Sequence, residues 1–201
     1  MKTKELALIS IMSALTVAVA YGKGLATSFL PGLIDFNSIL IFVTGFCFGY
    51  FVGGAIGIVS MFIYMILPYP FAHPSAWIFT ISPLLLVIQC SLGAMMGIMG
   101  ANWGRKWKQS PLEINRTFII KIAIIGFALT FVYQIISSIG FYLAYPFYSS
   151  VWEAIILTFI PLLYPYPPIT QVFTNAIIFA VLGPPLIRMI KKYSWANFIN
   201  Q

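Results

Sequence analysis

The groups this chain could use for acid–base or nucleophilic chemistry are few and scattered. His73 is its single histidine, Glu5, Asp35, Glu113 and Glu153 are its only carboxylates, and Cys47 and Cys90 both lie inside apolar runs. A metal centre needs three or four converging ligands, and buried thiols of this kind pack like small hydrophobes. Neither a metal site nor a disulfide framework is expected. There is no GxxxxGK[ST] phosphate loop, no HExxH and no GxSxG elbow, so hydrolysis of ATP by a phosphate loop is excluded, as are the common hydrolase mechanisms. The expectation is a protein that is not an enzyme and holds no cofactor.

What remains is a set of neutral polar side chains embedded in apolar sequence. Gln89 falls near the middle of one such run; Gln134, Ser137 and Ser138 share another with Tyr133 and Tyr142; Gln171, Thr174 and Asn175 share a third, with 171 and 175 on one helical face. Polar groups at membrane depth are costly and usually face a cavity or another helix. Any one of them is explained by an interhelical hydrogen bond. Several together, near Trp77, Tyr145, Tyr148, Trp152, Tyr164 and Tyr166, suggest a small-molecule pocket with stacking faces. An interfacial aromatic belt is the plainer reading of those rings.

The elements that must position these groups follow from composition. The 201 residues are 61% hydrophobic and 7% charged, whereas a soluble domain carries roughly 25% charge. The chain is therefore expected to be a single all-α integral membrane domain, residues 1–201. Its apolar runs give six spans, about 5–22, 36–51, 52–67, 77–101, 117–142 and 169–187, with spans two and three a tight hairpin at Gly53-Gly54. The apolar stretch 154–163 is too short to cross and reads as a segment lying over the outer mouth.

Charge sets the orientation. With the N-terminus inside, Lys2, Lys4, Arg105, Lys106, Lys108, Arg116, Lys121, Arg188, Lys191 and Lys192 are cytoplasmic, ten of the eleven basic residues, and Lys23 alone is outside. That distribution obeys the positive-inside bias, places both termini in the cytoplasm, and explains the net charge of +7 without nucleic acid. Outside stand only Lys23, Asp35 and Glu153. No charge occupies the middle of a span, which weighs against a proton pump or voltage sensor.

Small residues complete the pattern. Ala7, Ser10, Ala14 and Ala18 form one smooth stripe on span one, including an AxxxA step; glycines recur at 45, 49, 53 and 57 and at 93, 97 and 100. Such rows let helices approach closely. The glycines fit packing within the bundle, and the alanine stripe fits either internal packing or a partner helix.

In its layout the chain resembles the S component of an energy-coupling factor (ECF) transporter. The resemblance rests on the Lys-bearing start leading into ALISIMSALTVAVA (7–20), on FVTGFCFGYFVGGAIGIVS (42–60), on the basic linker NWGRKWKQ (102–109), and on QVFTNAIIFAVLGPPLIRMIKK (171–192). It implies six transmembrane helices with both ends cytoplasmic, in a multi-pass protein of the cell (cytoplasmic) membrane. It implies capture of a vitamin or related micronutrient from outside, by the outer halves of helices four to six and the extracellular loops that cap them: here Trp77, Gln89, Tyr133, Gln134, Ser138, Tyr142, Trp152, Glu153, Gln171 and Asn175. It also implies docking of the first helix, through Ala7, Ser10, Ala14 and Ala18, onto a transmembrane coupling subunit served by two cytoplasmic ATPases. The competing expectations are a solitary small-solute permease or channel, and a non-transporting scaffold subunit of the membrane.

Overall fold

The computed structural model describes residues 3–26, 35–66, 82–107, 114–145, 148–159 and 168–192. They are all-helical, with no strand among the described residues: α1 (Thr3–Ala26), α2 (Phe36–Phe48), α3 (Tyr50–Ile66), α4 (Pro83–Trp107), α5 (Arg116–Ala144), α6 (Val151–Phe159) and α7 (Pro168–Lys192). Four of them, α1, α4, α5 and α7, are long and apolar enough to cross a membrane; α2 and α3 are shorter apolar helices. At about 1.5 Å per residue α2 is only about 20 Å long. It can be short because it is the hub, touching α1, α3, α4, α5 and α7, with every residue from Asn37 to Cys47 buried except Leu40.

Glycine determines how closely three of these helices meet. A Cβ added at Gly45 would lie 1.9 Å from the Gly97 carbonyl oxygen, one at Gly57 2.1 Å from that of Gly93, and one at Gly97 2.1 Å from that of Gly53. The α2–α3–α4 contact is thus backbone against backbone. Hydrocarbon gives helices no hydrophobic reason to associate, so such close approach supplies the packing energy instead. The break between α2 and α3 falls at Gly49, whose φ of 97° is open to glycine. The sequence expectation put that break at Gly53-Gly54, and this is corrected: both lie inside α3, where Gly53 must stay helical to mesh with Gly97.

Two apolar cores flank α2. Ile39, Phe42 and Phe46 pack with Phe118, Ile122 and Phe179 of α5 and α7, the Phe42 and Phe179 rings 5.4 Å apart. On the other side Ile41 packs with Leu8 and Ile9 of α1, Val52 and Ile56 of α3, and Met96 of α4. Outward-facing Leu6, Phe51, Val87, Ile124, Ile177 and Val181 are exposed, the apolar jacket that lipid contact requires.

The contacts also fix direction. Tyr50 donates to Asn102 at 2.7 Å and Trp107 stacks edge-on with Phe118, so the start of α3, the end of α4 and the start of α5 share one end of the bundle. Tyr21 donates to the Tyr64 carbonyl at 3.2 Å, so the ends of α1 and α3 share the other. Lys4, Arg105, Lys106, Arg116, Lys121 and Arg188 belong to the first end and Asp35 to the second. Other boundaries shift modestly. The fourth helix begins at Pro83 and runs to Trp107, while residues 77–81 of the expected span lie outside the described residues. The expected overlying segment 154–163 begins earlier, as α6, a nine-residue helix packed on α5 and α7; residues 160–163 lie outside the described set.

Candidate functional site

At the end of the bundle opposite Arg105 and Arg116, α4, α5, α7 and the N-cap of α2 contribute to a polar layer made of three hydrogen-bonded groups. Gln89 of α4 donates through Nε2 to Ser137 Oγ of α5 at 2.8 Å and accepts from the Tyr133 hydroxyl. Gln134 of α5 donates to Gln171 Oε1 of α7 at 2.7 Å. Asn175, fully buried, donates to Thr130 Oγ1 at 3.0 Å and accepts from the Asp35 backbone N–H at 3.3 Å. Hydroxyls at the edge turn back on their own helices, Ser138 to the Gln134 carbonyl at 2.7 Å and Thr174 to the Gln171 carbonyl at 3.1 Å.

The expected pocket residues divide accordingly. Gln89 and Tyr133 meet in one hydrogen-bonded group and Gln134 and Gln171 in a second, Asn175 belongs to a third with Thr130 and Asp35, and Ser138 bonds to the Gln134 carbonyl. Gln89 was expected near mid-span, apart from the others; it sits at the level of Ser137 because its helix starts at Pro83, which puts it on the second turn. Tyr142 is half-buried further along α5. Trp152 is 74% exposed. Glu153 caps its own helix, accepting from the Ser149 N–H at 2.6 Å and the Ser149 hydroxyl, while its N–H donates to Ser150 Oγ at 3.1 Å. Those Ser149 hydrogen bonds hold its carboxyl below the usual carboxylate range. Among the described residues neither Trp152 nor Glu153 shares a hydrogen bond with the layer. Trp77 lies outside the described residues.

The residues missing from the expected site head α2. Asp35 is its N-cap, accepting from the Asn37 N–H at 2.9 Å and from the Ser38 hydroxyl. Asn37 is 6% exposed, and its Oδ1 is buried with no hydrogen-bond partner. The run Asp35-Phe-Asn-Ser at the head of an apolar stretch is a capping signal that would have flagged them. Ser137 and Thr130 join through their hydrogen bonds with Gln89 and Asn175.

Two other surfaces bear on function. On α1, Ala7, Ser10, Ala14 and Ala18 are all exposed, whereas Leu8, Ile9, Thr16, Val17 and Ala20 are buried. The small-residue row therefore faces away from the bundle. Between α3 and α4 an open groove of about 570 Å³ is lined by Ile58, Phe62, Val87, Ala94 and Ile98 among others. It offers a polar solute almost nothing to bind and shares no residue with the polar layer.

Compared with family models, curated proteins and solved structures, the chain finds no match. The functional reading rests on its own residues.

Proposed function

We propose that this chain is the substrate-capturing membrane subunit of an ATP-driven, ECF-type importer of a vitamin or related micronutrient, with six spans and both termini in the cytoplasm. The observation that carries this reading is the small-residue row of α1 left outside the bundle. Ala7, Ser10, Ala14 and Ala18 are not used to pack the protein's own helices, and a smooth helix face in lipid is suited to close approach by another helix. The partner would be a coupling subunit carrying two ATPases, since this sequence has no phosphate loop of its own.

The polar layer supports the capture role. It lies at the end away from the basic residues, outside under the positive-inside rule, and offers amides, hydroxyls and phenols around the heads of α2 and α7. Lys4, Arg105, Lys106, Arg116, Lys121 and Arg188 cluster at the other end, leaving the body of the bundle free of charge. That suits a subunit that reorients in the membrane to deliver its cargo, since each charge moved through hydrocarbon costs several kcal/mol.

A scaffold reading draws on the same interhelical hydrogen bonds, which would hold helices together with no ligand at all. Reconstituted transport separates the two. With the coupling module present, uptake should require ATP and be abolished by Ala14→Leu or Ala18→Leu, while the isolated subunit still binds its solute. Uptake that persists in both variants refutes the docking role.

A further inference from the structure

We infer that α6 is a membrane-surface anchor: its Trp152, Ile156 and Leu157 face seats in the lipid interface at the end of the bundle opposite Arg105 and Arg116. The partner is the bilayer itself, and the inference is independent of what the polar layer binds.

The helix divides cleanly around its axis. Ala154 is fully buried, Val151 and Ile155 are half-buried beside it, and this side rests on α5 and α7. Trp152, Ile156 and Leu157 are exposed, and steps of four and five residues keep them on one arc. Glu153 shares that arc, but its carboxylate turns back to the Ser149 N–H and hydroxyl. The polar groups are thus gathered at the first turn and the exposed remainder is apolar. A tryptophan with aliphatic neighbours on an exposed helix face is the pattern of helices that lie in the membrane interface. None of the three bonds to the polar layer, so the face is not spent on the candidate site.

The level of α6 fits. At about 1.5 Å per residue, α7 covers about 29 Å from Arg188 back to Ile169, and α5 covers about 35 Å from Lys121 to Ala144. The hydrocarbon core is roughly 30 Å thick. With those basic groups at one boundary, the end of α5 and the head of α7 stand at the other. In sequence α6 lies between them, opening a few residues beyond Ala144. At nine residues, Val151–Phe159, it spans only about 13 Å and cannot cross. The apolar jacket reaches this level on both helices that carry α6. Leu143 of α5 is exposed, and so is the α7 row Ile169, Phe173, Ile177 and Val181, four residues apart. The α6 face continues a lipid-facing surface where the bundle meets the headgroups.

The test is spin-label accessibility on the full chain in phosphatidylcholine bilayers, in a Cys47→Ala, Cys90→Ala background. Labels go on Ile156→Cys and Leu157→Cys, with Ile124→Cys on exposed mid-α5 as the hydrocarbon control and Lys106→Cys as the aqueous control. Power saturation with oxygen, which concentrates in hydrocarbon, and with a water-soluble nickel chelate gives the depth of each label. All four sites are exposed, so each variant should melt with the background protein. The expected oxygen-to-nickel ratio at 156 and 157 lies above that of the Lys106 control and below that of the Ile124 control. A ratio equal to the aqueous control places α6 in water and overturns the inference. A ratio equal to the mid-span control, or shielding from both reagents by a second copy or another protein, overturns it as well.

Discussion

Among single residues, the consequential ones are neutral amides rather than charges. Gln134 and Gln171 join α5 to α7 by a 2.7 Å hydrogen bond, and interhelical bonds of this kind are worth only about 0.6–2 kcal/mol in membranes. Gln171→Ala should therefore lower stability by about 1 kcal/mol, read from unfolding in mixed micelles, while solute retention falls at least about tenfold if the side chain is also a contact. Loss of stability with full retention would mark the pair as structural. Glu153 behaves differently. Its folded-state pKa is lowered by the Ser149 hydrogen bonds, so its contribution is present above the unfolded carboxylate range and disappears as pH falls through the depressed value. Amide protection across α6, taken relative to the intrinsic exchange rate at each pH, should therefore fall at acid pH, and Glu153→Gln should show that lower protection already at pH 7. Protection of the α6 amides that does not change with pH in the wild type would contradict the capping role.

Individual helices are dominated by small residues, which play two opposite parts. On α4 they are internal: Gly97→Ala would drive a Cβ to within 2.1 Å of the Gly53 carbonyl oxygen, and overpacking of this kind costs about 1–3 kcal/mol. Gly22→Ala, with nothing within 4 Å of the added carbon, should be tolerated. A comparison of the two melting temperatures checks both statements. On α1 the row Ala7, Ser10, Ala14 and Ala18 is external, so leucine at 14 or 18 should leave the melting temperature unchanged and act only where a partner helix is present. The spacing of both rows was plain in the sequence; which faced inward was not, because periodicity defines a stripe without saying what covers it. Gly49 was indistinguishable from Gly45, Gly53 and Gly57 for a similar reason. Four glycines at equal spacing look alike until Gly93 and Gly97 select those that must remain helical.

In the whole molecule, composition and the distribution of Lys and Arg carried most of the architecture: all-helical described residues, four long apolar helices, and Lys4, Arg105, Lys106, Arg116, Lys121 and Arg188 gathered at one end. The site was less legible. Gln134, Gln171 and Asn175 stood out as amides in apolar sequence, but Asp35 and Asn37 precede or open their helix, where polar residues are ordinary. Only the hydrogen bond from the Asp35 N–H to Asn175 and the burial of Asn37 give them weight. The six-span, termini-in arrangement has its own test. Single cysteines placed at 2 and 201 in a Cys47→Ala, Cys90→Ala background should be protected from a membrane-impermeant maleimide in intact cells and labelled after permeabilisation. Labelling of either before permeabilisation would place that terminus outside.

The measurement that bears most directly on the capture role is native mass spectrometry of the gently purified protein. A bound small molecule at one copy per chain is expected, lost from Gln171→Ala and Asn175→Ala variants that remain folded. A protein that carries no such molecule, and whose melting temperature is unmoved across a panel of vitamins, would contradict the capture role and leave a scaffold as the better account.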